Sequence, residues 1–205
     1  MDISKQLAAF QAKAKTCTVC RSLGLLHEEG GGRRAYPVLQ QTPLNFKEVV
    51  AVMEAPNWDD TYNPRKGYIT CDPGTDETGK FLFEMLKSIN LAPSNVILTN
   101  AVLCLPITKH GKNKPGASQL TNCSRWLAEL VDAVGPKVIV TFGAVALDAV
   151  NRIEKHHMSL RQALGRVVPW RGRKMLALAH PSPLGRANRV AELQMQDIKV
   201  LQKLL

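Results

Sequence analysis

Lys174-Met175-Leu176-Ala177-Leu178-Ala179-His180-Pro181-Ser182-Pro183-Leu184 joins a short apolar run to a loop stiffened by two prolines. The run is continuous rather than alternating, which is the pattern of a strand buried on both faces. Pro181 and Pro183 each fix their own φ and bias the preceding residue toward extended backbone. The loop can therefore present His180, Ser182 and Leu184 to a ligand at low entropic cost. It does so at a strand end, where open α/β sheets place their sites. Taken alone, the stretch is equally readable as a rigid turn with an incidental histidine.

Working outward, four short β-branched or apolar runs emerge, at residues 49–53, 95–99, 137–141 and 175–179. Helical spacing separates them. Phe81, Leu82, Met85, Leu86 and Ile89 mark one helix ending near Asn90, and Trp126, Leu127, Leu130 and Val131 mark another stopped by Gly135-Pro136. A third follows Gly143, and Val190, Leu193, Val200, Leu201 and Leu204 form a closing stripe. Strands alternating with helices predict a three-layer α/β/α sandwich around a short, mainly parallel four-stranded sheet. All four strand ends then lie on one rim. The loops there are polar, carrying Glu54, Asn57, Asp59 and Asp60, then Asn100, then Gly143, then His180.

The chain has 205 residues and reads as one domain, 1–205, with an N-terminal arm. It contains no apolar run of about 18 residues, so no membrane span is expected, and the early acid Asp2 with no apolar signal core predicts a cytoplasmic protein. Lys and Arg total 27 against 17 Asp and Glu. That excess points to a polyanionic partner, because loop cations suit phosphate contacts. Much of it falls in loops, at Arg33-Arg34, between Lys109 and Lys114, between Arg171 and Lys174, and at Arg186 and Arg189. A solvated basic surface is the plainer alternative.

Five cysteines are present, at positions 17, 20, 71, 104 and 123. The two-residue gap between Cys17 and Cys20 lets two thiolates share one metal or cluster, with a redox pair as the rival reading. Cys104 and Cys123 are candidates to complete a four-thiolate site, with Cys71 a spare thiol or a replacement for one of the four, and spacing does not separate zinc from an iron–sulfur cluster. Four buried, unliganded thiols is the structural alternative.

The ordered set resembles the uracil-DNA glycosylase superfamily, most closely its iron–sulfur family 4 type, over roughly residues 14–204. The resemblance rests on Cys17 and Cys20, on Glu54-Ala55-Pro56 inside a first motif that has lost both of its usual glycines, on Thr99-Asn100 followed by Cys104 and Pro106, on Cys123 beside Trp126, and on a His180-Pro181-Ser182-Pro183-Leu184 loop of the form found in the classical enzymes. It implies a structural [4Fe–4S] cluster, with zinc the lesser option, on Cys17, Cys20, Cys104 and Cys123, tying down the N-terminal arm. It implies a monomeric, monofunctional enzyme that hydrolyses the N-glycosidic bond of uracil in DNA during base excision repair. Another deaminated base, such as hypoxanthine or xanthine, or a non-catalytic lesion-binding role, are the alternatives.

By that resemblance His180, Asn100 and Glu54 are the catalytic candidates. His180 would donate to the charge left on the departing base. Asn100 would read the base edge, since one planar amide offers an acceptor and donors that match uracil's O4 and N3–H. Glu54 would position or activate water, with Asp59 and Asp60 as rivals. Asn57 and Tyr68 would line the base pocket, Tyr68 (or Trp58) as a stacking platform. Ser182 and Arg186 would hold phosphate, and Leu184 would enter the vacated stack. His156 and His157 read as ordinary surface histidines.

Overall fold

The structure is a computed structural model that describes residues 2–22, 37–57, 69, 71–106 and 114–205. Among the described residues five strands form one sheet: β1 (Val49–Met53), β2 (Ile97–Asn100), β3 (Val138–Phe142), β4 (Val167–Trp170) and β5 (Arg173–Leu178). Their order is β2-β1-β3-β5-β4. The first four in that order run parallel, and β4 pairs antiparallel to β5 at the edge. The expected four-stranded sheet is thus corrected to a mixed, five-stranded one. The added strand escapes the apolar pattern because it is half exposed and carries Pro169, which only an edge strand tolerates. Arg171 and Gly172 both have positive φ (46° and 70°), the conformation of a tight two-residue hairpin turn joining β4 to β5.

The apolar runs are continuous because both faces of the sheet are covered. Val50, Val52, Ile139 and Met175 point to one core with Leu7, Phe10, Leu127, Leu130 and Val150. Val49, Ala51, Val140 and Leu176 point to the other with Leu82, Met85, Ile198 and Leu201. On the first face lie α1 (Ile3–Ala14), α4 (Ala117–Val134) and α5 (Gly143–Ile153); on the second lie α3 (Glu77–Ser88) and the C-terminal helices α8 (Ala191–Asp197) and α9 (Lys199–Gln202). Short α2 (Val19–Ser22), α6 (Leu160–Ala163) and α7 (Pro183–Asn188) occupy the connections. Gly135 closes α4 in the left-handed conformation at φ 55°, as the Gly135-Pro136 stop signal predicts.

The connection after β1 crosses to the second face through α3, whereas that after β3 enters α5 on the first face. Adjacent parallel strands whose connections leave in opposite directions open a crevice at their carboxyl ends. Register places Met53 beside Asn100 and Phe142 beside Leu178, so the polar loops do start from one rim. Among the described residues no helix is long and apolar enough to cross a membrane.

Candidate active site

The crevice holds a cavity of about 640 Å³, within the range of small-ligand sites. Its wall includes Glu54, Asn57, Asn100, Gly143, His180, Ser182 and Leu184. Residues far apart in the sequence are thus brought together by the switch point between β1 and β3. Trp58, Asp59, Asp60 and Tyr68 lie outside the described residues.

His180 leaves the end of β5 and turns into α7. The Ser182 backbone N–H donates to its Nδ1 at 3.2 Å. A neutral imidazole that accepts at Nδ1 carries its proton at Nε2, so the histidine has one N–H to donate elsewhere. Burial lowers the imidazole pKa, and the negative charge of Asp76 offsets part of that shift, which favours the neutral ring. Two glycines make room for it. Gly143 adopts φ +85°, and a Cβ there would lie 3.1 Å from the His180 Cβ. A Cβ on Gly185 would lie 1.8 Å from the His180 carbonyl oxygen. Gly143 therefore both opens α5 and lets its backbone approach the histidine closely.

Asn100 ends β2 and is 3 % exposed. Its Nδ2 has no hydrogen-bond partner among the described residues. A buried, unpaired amide donor is costly, and this one belongs to a residue of the cavity wall. The loop that carries it is pinned to the end of β1, since Ala101 N–H donates to the Met53 carbonyl at 2.8 Å. Burial raises the Glu54 carboxyl pKa, partly countered by the Lys114 ammonium. Both line the cavity, as does a second carboxylate, Asp76. Asp76 caps α3, accepting from Thr78 N–H at 3.0 Å and Gly79 N–H at 3.2 Å.

Asp76 and Cys71 are among the cavity residues that reading the sequence missed. The signal for Asp76 was present: Asp76-Glu77-Thr78-Gly79 ahead of an apolar helical run is an N-cap pattern. Nothing local indicated that this cap faces His180.

The remaining candidates sort by their surroundings. Leu184 is 75 % exposed at the cavity mouth. Asn57 is exposed on the same wall. Ser182 caps α7, its Oγ accepting from Gly185 N–H at 3.2 Å, which leaves the hydroxyl proton to donate. Arg186 is engaged within the protein: its guanidinium donates to the Pro181 carbonyl at 3.0 Å, pairs with Glu77 at 3.7 Å and lies over the Phe81 ring at 5.0 Å. It braces the histidine loop against α3. His156 is also structural, its ring spanning Leu147 O at 3.1 Å and Met158 N–H at 3.1 Å.

The metal expectation is corrected. Among the described residues no group of three or more His, Cys, Asp or Glu is arranged to hold a metal ion, and Cys17, Cys20, Cys104 and Cys123 are all described. None of the four is in a disulfide. Cys17 Sγ accepts from Arg125 at 3.7 Å and Cys20 Sγ from Asn122 at 3.5 Å. Burial pushes the Cys123 thiol up to about 12, so it is neutral. Neither an iron–sulfur cluster nor zinc is assigned, and the N-terminal arm is held by packing instead. Leu7, Phe10 and Ala14 of α1 are buried in the same core as Leu120, Leu127 and Leu130 of α4. Phe10 meets Trp126 edge-on at 6.2 Å, and Lys13 pairs with Glu129 at 2.6 Å.

Comparison with known proteins bears on this arrangement. A Type-4 uracil-DNA glycosylase of Thermotoga maritima is 25% identical over 190 residues, 91% of this chain and 88% of that protein. One from Archaeoglobus fulgidus is 28% identical over 162 residues, covering 77% and 76%. A Type-5 uracil-DNA glycosylase of Pyrobaculum aerophilum is 39% identical over 89 residues, 43% of this chain and only 37% of that protein. The similarity therefore spans both types without selecting one. The family model for the uracil DNA glycosylase superfamily matches residues 49–204, from the first strand of the sheet to the last helix. The chain belongs to the uracil DNA glycosylase superfamily.

Proposed function

We propose that this protein is a monofunctional DNA glycosylase that hydrolyses the N-glycosidic bond of uracil in DNA. The observation that carries the reading is the buried, unpartnered Nδ2 of Asn100 in the wall of the rim cavity. A uracil turned out of the helix offers an O4 acceptor and an N3–H donor on adjacent ring positions. Asn100 meets them with Nδ2 and Oδ1 of one amide, a match that cytosine's amine and bare N3 do not make.

As the C1′–N1 bond breaks, its electron pair moves into the uracil ring and charge develops on O2. The Nε2–H of His180 is the donor for that charge, preorganised by the Ser182 contact to Nδ1. The deoxyribose becomes cationic, and the carboxylates of Glu54 and Asp76 on the same cavity wall stabilise it. Glu54 also takes the proton of the water that adds to C1′, because burial raises its basicity. Uracil leaves as the anion and is protonated by solvent, and an abasic site remains. Lys114 at the cavity supplies a phosphate contact, and Leu184 fills the gap in the stack.

A second reading, release of hypoxanthine or xanthine, draws on Asn57, an exposed residue on the cavity wall at a position where the family's first motif has glycine. Oligonucleotides carrying uracil, hypoxanthine or xanthine, single-stranded and paired, separate the two. Free uracil should be released fastest. Faster release of a purine favours the second reading, and release of no base from any substrate contradicts both.

A further inference from the structure

Five non-glycine residues among those described have a left-handed φ: Glu48, Cys71, Asn90, His157 and Arg171. Of these, Cys71 alone is buried and alone lines the rim cavity. Its φ is +44°, a region where an ordinary side chain is strained and glycine is not. Strain in a cavity wall persists only where the surroundings enforce it, and it points toward function.

The surroundings do enforce it. The backbone of α3 presses on Cys71, since a Cβ at Gly79 would lie 1.9 Å from the Cys71 carbonyl oxygen. On one side Ile69 is anchored by its N–H to the Leu39 carbonyl at 2.8 Å. On the other, Asp76 N–H donates to the Asp72 carbonyl at 2.9 Å, closing the turn that brings Asp76 to the cavity. The Cys71 backbone is therefore fixed, and its side chain cannot withdraw by a small main-chain shift. The same cavity contains the unpartnered Asn100 amide, an independent sign that a ligand enters here. Among the described residues this wall has no Phe, Tyr or Trp, and Ile69 and Cys71 belong to its apolar part with Met53, Ala55, Pro56 and Val145.

We propose that Cys71 is a specificity-determining residue of the base pocket, its thiol limiting the size of base that can reach Asn100. The inference rests on the glycosylase reading and goes further in naming what excludes larger bases. A glycine would fit the backbone without strain but leave that space open, whereas the small, polarisable thiol fills it.

The test compares the wild-type chain with Cys71→Gly and Cys71→Met. Single-turnover release is measured from uracil- and hypoxanthine-containing oligonucleotides, and binding of free uracil and free hypoxanthine by calorimetry. Cys71→Gly should raise the hypoxanthine-to-uracil ratio about tenfold or more, the scale on which pocket volume discriminates. Cys71→Met should lower it. Unchanged ratios in the folded glycine variant overturn the proposal, whether or not the methionine variant folds. If the wild-type chain binds bases but releases none, the glycosylase reading fails and the binding ratios alone decide the role of Cys71.

Discussion

The backbone N–H of Ser182 donates to Nδ1 of His180 at 3.2 Å, so the loop's own main chain sets which imidazole nitrogen carries the proton. Nitrogen NMR of the imidazole at neutral pH should show a neutral ring protonated at Nε2. His180→Ala should lower the rate of base release about 10²–10³-fold, the cost of losing one preorganised donor, with much less change in DNA affinity. Equal losses in both would leave His180 a binding residue.

Gly143 supports the same ring from below. Gly143→Ala places a Cβ at φ +85° and 3.1 Å from the His180 Cβ. The left-handed backbone alone should cost about 1–2 kcal/mol in denaturant unfolding. Base release should fall as well, because the histidine must shift to admit the methyl group. Unchanged activity in the destabilised variant would separate Gly143 from the chemistry.

Burial acts on Glu54 and His180 with opposite signs. The folded protein holds the Glu54 proton more tightly than the unfolded chain does, so ionising it removes stability as pH rises through the folded pKa. Glu54→Gln should therefore melt higher at neutral pH while releasing base about 10²–10⁴-fold more slowly. For His180 the folded pKa lies below the unfolded one, so its contribution is retained at high pH and lost as pH falls through that window. Protonation would also turn Nδ1 into a donor facing the Ser182 N–H. Acid should thus cut activity through both groups, and a lower melting temperature in Glu54→Gln would contradict this account.

Leu184 stands 75 % exposed at the cavity mouth, an unusual place for a large apolar side chain. Leu184→Ala should slow release from duplex substrates, where extrusion competes with pairing, and leave single-stranded substrates nearly unaffected. Equal loss on both would rule out a wedge.

Much of this architecture was legible in the sequence, for reasons visible in the structure. The runs at β1, β2, β3 and β5 are continuous because helices cover both faces of the sheet. The loops of Glu54, Asn100 and His180 converge because parallel strands end on one rim. Strand β4 was not legible, because an exposed edge strand containing Pro169 has neither periodicity nor full burial. The cysteine spacing suggested a metal site that the described thiols do not form, since two-residue gaps constrain only neighbours in sequence. Asp76 and Cys71 were missed because their place in the cavity depends on α3 packing against the turn before it. Sequence also could not reveal that Arg186 pairs with Glu77 and lies over the Phe81 ring.

The buried Asn100 amide is the center of the functional account, and its removal tests that account most directly. Wild-type protein and Asn100→Leu, both checked for folding, would be assayed side by side for free uracil released from a uracil-containing oligonucleotide in a single turnover. The wild-type chain should release uracil and leave an abasic site. Asn100→Leu should be about 10²-fold or more slower, yet no less stable, since it removes a buried donor that had no partner. Failure of the folded wild-type chain to release uracil, or equal release by both proteins, would contradict it.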